Sequence, residues 1–166
     1  MNADTDKPGK SSSLSRVRTA AEALGLDVNI LTMPQSTRTA EEAASACGCA
    51  VGQIVKSLVF ENDADQSLIL ILVSGNSQAD LDLLRQTHGL QLSRCDTRKV
   101  RAVTGFAIGG VAPIGHLTPI RTFMDEDLLR HEIVWAAAGR PDSVFSVDPQ
   151  ALADAANAAV ISVSRA

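Results

Sequence analysis

Residues 105–115 (GFAIGGVAPIG) form the segment whose composition is best suited to bind a ligand through its backbone. The segment combines four glycines and one proline with apolar residues, and it lacks the Ser, Asn and Asp typical of an exposed loop. Glycine permits positive φ and lets a ligand approach closely, whereas proline fixes φ. The pattern indicates a shaped turn that offers N–H groups to a phosphate, a carboxylate or a developing oxyanion. A tight packing turn between strands is the alternative.

Lys56 interrupts an apolar stretch, residues 53–60, that otherwise predicts a buried strand. A lysine in such a stretch commonly lies on the solvent face, with its aliphatic stem along apolar surface. The alternative is a cation at the wall of a pocket, where it holds a phosphate or a carboxylate.

Asp125 ends a predicted strand, residues 120–124, and begins an acidic cluster with Glu126 and Asp127. One interpretation is an N-cap, because an aspartate oxygen accepts hydrogen bonds from the first free N–H groups of a turn or helix. The functional interpretation is an acceptor for a substrate amine or for a water molecule.

A basic run lies between the predicted strand at 90–92 and the glycine-rich segment, and Asp96 offsets it in part. The net charge of −4 argues against a general nucleic-acid coat. Two interpretations of this basic run remain: its residues contact phosphates locally, or they form a solvated helix face. Its four basic residues are Arg94, Arg98, Lys99 and Arg101.

Several classes of site find no support in the sequence. Cys47 and Cys49 are separated by one residue, which is not the spacing of a redox or zinc motif, and the three histidines show no metal-ligand spacing. No Gly-x-Ser-x-Gly elbow and no P-loop is present. We therefore expect no metal and no cofactor, and with no Tyr in the chain we expect no aromatic platform for nucleic-acid bases.

The rest of the chain predicts one α+β domain with a mixed sheet. Residues 1–13 are polar and predict a disordered tail, so the domain covers residues 14–166. An apolar run at 68–73 predicts a central strand, and Thr39 with Glu42 forms a capping box. No secretory h-region and no membrane-spanning run occurs, and we expect a cytoplasmic protein.

Four segments, in this order, carry a resemblance to a known family: 51–60 (VGQIVKSLVF), 104–115 (TGFAIGGVAPIG), 122–125 (TFMD) and 138–140 (AGR). Together they resemble the YbaK/ProX family, which consists of freestanding relatives of the editing domain of bacterial prolyl-tRNA synthetase. The resemblance extends from about residue 14 to the end of the sequence. It implies a mixed, barrel-like sheet flanked by helices.

The resemblance also implies an activity, the hydrolysis of mischarged aminoacyl-tRNA. The expected substrate is tRNA for proline, or another tRNA, carrying Ala, Ser, Thr or Cys. A tRNA synthetase is a further possible partner, and we expect a monomer or a weak homodimer. A module that binds aminoacyl-tRNA, or another ligand ending in a nucleotide, without hydrolysing it is the alternative.

The resemblance assigns roles to residues by motif. Lys56 matches a lysine that holds the terminal adenosine and its phosphate, residues 109–113 match the loop that lines the aminoacyl pocket, and residues 36–40 match a specificity segment. Catalytic roles are expected for Lys56, Gly109, Gly110 and Asp125. Substrate binding is expected for Thr37, Thr39, Val111, Ala112 and Pro113. Many members have Ser where this chain has Ala112, so we expect a small side chain other than that of cysteine to be preferred.

Overall fold

The computed structural model describes residues 10–34 and 39–164, which form five α-helices and eight β-strands. In chain order the elements are α1 (Lys10–Ala23), β1 (Ile30–Thr32), α2 (Ala40–Cys47), β2 (Val55–Asn62), β3 (Leu68–Ser74), α3 (Leu81–His88), β4 (Leu92–Arg94), α4 (Thr97–Thr104), β5 (Arg121–Asp125), β6 (Val134–Ala137), β7 (Ser143–Val147), α5 (Pro149–Ala155) and β8 (Ala159–Ile161).

The strands form two sheets within one α+β domain. A five-stranded sheet has the order β4-β2-β3-β5-β8, and a three-stranded sheet has the order β1-β7-β6. Strand β3 is antiparallel to β2 and parallel to β5, so the larger sheet is mixed, as predicted. The two sheets do not close into a barrel, because they meet at a single parallel bridge between Ile54 and Trp135.

Strand β3 is the centre of the hydrophobic core, and all seven of its residues are buried. One face of the strand packs against a cluster that includes Phe106 and Phe145, between the two sheets. The other face packs against Leu84 of α3 and Phe123 of β5. Burial on both faces explains why this strand has a continuous apolar sequence rather than an alternating one.

Local hydrogen bonds fix the starts of the helices that the sequence predicts. The hydroxyl of Thr39 accepts from the N–H of Glu42, and the Glu42 carboxylate accepts from the N–H of Thr39, each over 3.0 Å. Asp148 caps α5, and Pro149 occupies its first turn. These capping predictions are confirmed.

Helix α1 begins at Lys10, so residues 10–13 are helical and the expected boundary of the tail at residue 13 is wrong. Residues 1–9 lie outside the described residues. None of the helices in the described ranges has the length and apolar character that crossing a membrane requires.

Candidate functional site

A cavity of about 300 Å³ lies where the two sheets separate, and we call it the inter-sheet cavity. It begins next to the Ile54–Trp135 bridge, beyond which β2 and β6 form no further ladder. Most of its wall is apolar, including Val111 of the glycine-rich loop and Val144 of β7. A small, mainly apolar cavity with a few polar groups is typical of a ligand site.

The glycine-rich loop reaches this cavity through a tight turn. The N–H of Gly110 donates to the carbonyl oxygen of Ala107 over 3.0 Å, and Gly109, at the third position of the turn, has φ +90°. A type II turn requires glycine at this position. Gly109 lines the cavity, and a Cβ at this residue would meet no atom within 4 Å. The backbone of Gly109 is therefore accessible from the cavity.

Gly110 has a different role from the one expected. A Cβ at Gly110 would lie 2.8 Å from the Cα and carbonyl carbon of Arg140 and 3.0 Å from the nitrogen of Pro141. Glycine is thus needed for close packing between two backbone segments, and the N–H of Gly110 is already donated to Ala107. The expectation that Gly110 offers its N–H to a ligand is wrong for this conformation.

The residues that follow divide between the cavity and the core. Val111 is buried and lines the cavity. Ala112 is fully buried in the core, and its carbonyl oxygen accepts a hydrogen bond from Nε2 of His116 over 2.7 Å. Pro113 is also buried, and neither Ala112 nor Pro113 lines the cavity. Ala112 and Pro113 are therefore not placed to contact a substrate in this cavity.

Lys56 lies on β2, is partly buried and lines the inter-sheet cavity. Its Nζ donates a hydrogen bond to the carbonyl oxygen of Ser77 in the loop after β3. Lys56 is paired with Val73 in the β2–β3 register, so the sheet fixes the position of its Cα. The pocket-wall interpretation of Lys56 therefore fits better than the solvent-face interpretation.

Asp125 does not face the inter-sheet cavity. It lines a separate cavity of about 640 Å³, together with Ser77, Asp127 and Arg130. One carboxylate oxygen accepts from the N–H of Asp127 over 2.9 Å, and the other accepts from the N–H of Ser74 over 3.0 Å. Burial raises the pKa of this carboxyl group above its ordinary value. The capping interpretation is the one that these contacts match. Asp125 does not line the inter-sheet cavity with Gly109, but Ser77, which accepts from Lys56, lines the same cavity as Asp125.

The specificity segment is described only in part. Thr39 lines the inter-sheet cavity, but its hydroxyl already accepts from the N–H of Glu42. Thr37 lies outside the described residues.

The basic residues lie at the far end of β2 from Lys56. Arg94, on the edge strand β4, is paired with Phe60, four residues along β2, which places it about 13 Å along the strand direction. Lys99 lies 3.2 Å from the Glu61 carboxylate, whereas the side chain of Arg98 is 93% exposed and lies 3.7 Å from Asp96. Arg101, in the last turn of α4, is exposed.

Three residues that line the cavity were missed from the sequence. Trp135 stands at the bridge, and Ser143 and Ser57 supply hydroxyl groups. The Ser143 hydroxyl donates to Asp142 over 3.0 Å, but the Ser57 hydroxyl is buried and has no hydrogen-bond partner among the described residues. The position of Ser57 directly after Lys56 could have identified it from the sequence. Side chains alternate along a strand, however, so Ser57 and Lys56 were expected on opposite faces of the sheet rather than at one site.

The described residues contain no group of three His, Cys, Asp or Glu side chains that could hold a metal ion. Cys47 and Cys49 are the nearest approach to a thiol pair, and burial, with a smaller effect of Cys49, raises the pKa of Cys47 to about 11. Thiols with raised pKa values are poor metal ligands and poor nucleophiles at neutral pH.

Comparison with known proteins identifies similar chains. Residues 34–155 match the aminoacyl-tRNA editing domain family. A crystal structure provisionally assigned as a trans-editing enzyme for prolyl-tRNA synthetase is 43% identical, with a TM-score of 0.87, over 95% of this chain and 100% of that one.

Two curated sequences are also similar. The uncharacterized protein YwhH of Bacillus subtilis is 32% identical over 86% of this chain and 90% of its own length. EbsC of Enterococcus faecalis, provisionally named a Cys-tRNA(Pro)/Cys-tRNA(Cys) deacylase, is 25% identical over 72% of this chain and 73% of its own.

Proposed function

The chain belongs to the aminoacyl-tRNA editing domain family, and on that premise we propose that it removes small amino acids from mischarged tRNA in the inter-sheet cavity. Deacylation of mischarged aminoacyl-tRNA is the activity that the family and the similar trans-editing and deacylase proteins support. The observation that carries the proposed location is that Lys56 and Gly109 line one small, mainly apolar cavity. We place this activity in the cytoplasm, in a monomer or weak homodimer.

The size of the cavity supports a small aminoacyl group. Its volume of about 300 Å³ is at the lower end of the range for ligand pockets. Alanine residues 40, 43 and 136 and Trp135 contribute to the wall, which is mainly apolar and suits a small side chain. The pocket therefore selects by size first, and size alone discriminates by about 10- to 200-fold per methylene group.

The glycine-rich loop supplies a donor for the reaction. A water oxygen attacks the ester carbonyl carbon, the bond from that carbon to the ribose oxygen breaks, and the ribose oxygen leaves with a proton. Negative charge develops on the carbonyl oxygen in between. The N–H of Gly109 has no backbone acceptor among the described residues, and Gly109 lines the cavity, so this N–H is available to stabilise the oxyanion.

Lys56 positions the tRNA end. Its ammonium group has three donors and donates one of them to Ser77, which leaves two for a phosphate or ribose oxygen of the terminal nucleotide. The ester is already activated, so holding it next to water supplies much of the rate enhancement.

The test is a deacylation assay of the purified chain on tRNA for proline charged with Ala, Ser, Thr, Cys or Pro. We expect hydrolysis of one or more of the small, noncognate esters and little hydrolysis of Pro-charged tRNA. Binding of these tRNAs without hydrolysis of any of them would show the alternative, a binding module.

A further inference from the structure

Where strand β2 borders the inter-sheet cavity, one of its edges is not paired with another strand among the described residues; we call it the unladdered edge. On the side away from β3, the strand pairing of β2 with the described residues is limited to β4 at residues 60–62 and to the Ile54–Trp135 bridge with β6. Residues 56–58 lie between these two contacts and line the cavity. An unladdered edge exposes N–H and C=O groups that can pair with an extended ligand.

Hydrogen bonds at the two ends of the β2–β3 ladder show which β2 residues face β3. The N–H of Asn62 donates to Ser67, and the carbonyl of Ile54 accepts from the N–H of Gly75, each over 2.8 Å. In an antiparallel ladder, residues two apart direct their main-chain groups to the same side. Even-numbered residues of β2 therefore pair with β3, and the N–H and C=O of Ser57 point toward the cavity.

The side chain of Ser57 adds a third group at the same place. Its hydroxyl is buried without a partner among the described residues. Ser57 is paired with Leu72, and its side chain shares a face with Val55 and Leu72, which belong to the core cluster between the sheets. Leaving a buried hydroxyl unpaired costs stability, and a ligand that bonds to it recovers that cost.

We propose that Ser57 binds the aminoacyl group of the substrate as if that group were one residue of an added antiparallel strand. The carbonyl of Ser57 accepts from the α-ammonium group, and the N–H of Ser57 donates to the ester carbonyl oxygen, where it is a second oxyanion donor beside Gly109. This inference rests on the proposed function of the cavity.

The same pairing orients the amino-acid side chain. Directly opposed residues in an antiparallel pair place their side chains on the same face of the sheet. The substrate side chain therefore lies beside the Ser57 hydroxyl, against the apolar wall that includes Val111. A hydroxyl or thiol on that side chain, as in Ser or Cys, completes the hydrogen bonding of Ser57.

The first test is amide hydrogen exchange, measured by NMR on the ¹⁵N-labelled chain. The probe is adenosine carrying alanine through a non-hydrolysable 3′-amide bond, and adenosine alone is its control. We expect the Ser57 amide to exchange at least tenfold more slowly with the alanyl probe and not with adenosine. The amide of Leu58, which is bonded to β3, serves as an internal reference and stays unchanged. Saturation with the alanyl probe without any change at Ser57 would overturn the inference.

The second test uses Ser57→Ala, which keeps the main chain and removes the hydroxyl. We expect kcat/KM for Ser- and Cys-charged tRNA to fall about fivefold to tenfold relative to Ala-charged tRNA, the contribution of one neutral hydrogen bond. Ser146→Ala, at a strand serine outside the cavity, is the matched control and leaves this ratio unchanged. An unchanged ratio in Ser57→Ala would contradict the proposed place of the side chain.

A third variant, Ser57→Pro, removes the N–H that we assign to the ester. Proline is tolerated on an unladdered strand edge, and loss of one oxyanion donor lowers kcat by about 10²- to 10³-fold. If this variant does not fold, the exchange experiment and Ser57→Ala decide.

A wild-type chain that hydrolyses no mischarged tRNA refutes the proposed function itself, whereas an active chain with an unaffected Ser57 refutes only this inference.

Discussion

The Nζ of Lys56 donates a hydrogen bond to the main-chain carbonyl oxygen of Ser77, which lies 21 residues further along the chain. Lys56 lines the inter-sheet cavity and Ser77 lines the cavity that contains Asp125, so this bond lies between the two cavities. A carbonyl partner holds the ammonium in place without neutralising its charge. Lys56 is therefore positioned before any phosphate arrives.

Replacing Lys56 with Met keeps most of the aliphatic stem and removes the charge. We expect kcat/KM for deacylation to fall by about 10- to 150-fold, which corresponds to the 1.5–3 kcal/mol of a charge-assisted hydrogen bond. Thermal melting checks that the variant is folded, and Lys56→Arg tests whether charge alone restores the rate. Turnover of Lys56→Met at the wild-type rate on every substrate would exclude a role in positioning the tRNA end.

The two glycines of the loop turn are expected to respond differently to alanine. Gly110→Ala places a methyl group against the Arg140 backbone at 2.8 Å, and we expect a loss of about 1–3 kcal/mol in the free energy of unfolding. Gly109→Ala meets no atom within 4 Å, and its cost is the strain of positive φ, about 1–2 kcal/mol. Urea denaturation of both variants measures these losses. A loss of less than about 1 kcal/mol for Gly110→Ala would contradict the packing role.

Ala112→Ser tests whether this position sets specificity. The residue is fully buried and does not line the cavity, so the added hydroxyl enters the core. We expect a loss of about 1–3 kcal/mol in the free energy of unfolding, with unchanged relative rates on Ala-, Ser-, Thr- and Cys-charged tRNA. A shift in the relative rates without a loss of stability would restore the specificity role implied by the family resemblance.

The basic run predicts a salt-dependent contribution to tRNA binding. Arg98 is mostly exposed, so Arg98→Ala is expected to reduce the slope of log K against log salt by roughly 0.7–0.9. Lys99→Ala has a smaller effect, because the Lys99 ammonium is already paired with Glu61. Arg85→Ala, on α3 outside this run, is the control. Binding titrations at several salt concentrations measure the slopes, and equal slopes for wild type and Arg98→Ala would remove Arg98 from the interface.

His116 makes the stability of the fold sensitive to acid. Burial lowers the pKa of His116 below its ordinary value of 6.5, with a smaller opposing effect of the bond to Ala112. The unfolded chain therefore binds a proton at this residue at a higher pH than the folded chain does. The free energy of unfolding falls as the pH decreases through 6.5.

Thermal melts at pH 7.5 and pH 5.5 test this dependence, at about one pH unit on each side of the ordinary histidine value. We expect the decrease in Tm on acidification to be smaller for His116→Gln than for wild type. His88→Gln, at an exposed histidine, keeps the wild-type decrease. Equal decreases for wild type and His116→Gln would contradict the assignment.

The features that could be predicted from the sequence are local ones. The Thr39–Glu42 capping box and the Asp148–Pro149 helix start depend on hydrogen bonds and backbone angles within four residues. The apolar run of β3 identified a strand buried on both faces, because periodicity reflects burial directly.

The features that could not be predicted depend on contacts between distant segments. Gly110 and Arg140 are 30 residues apart, and only their packing shows that the missing side chain serves the core rather than a ligand. The Asp125 carboxylate accepts from the N–H of Ser74, 51 residues earlier in the chain, and this contact is not visible in either stretch of sequence. The composition of the loop identified a segment that borders the inter-sheet cavity, but it did not show which of its residues face the cavity.

The position of Trp135 determines how occupancy of the cavity can be observed. It is the chain's single tryptophan, the chain has no tyrosine, and the ring borders the cavity. Fluorescence excited at the red edge of protein absorption therefore comes from one indole at the site. A ligand that displaces water from this ring alters the intensity and wavelength of the emission, so the unlabelled native chain reports its own binding equilibria and pre-steady-state kinetics.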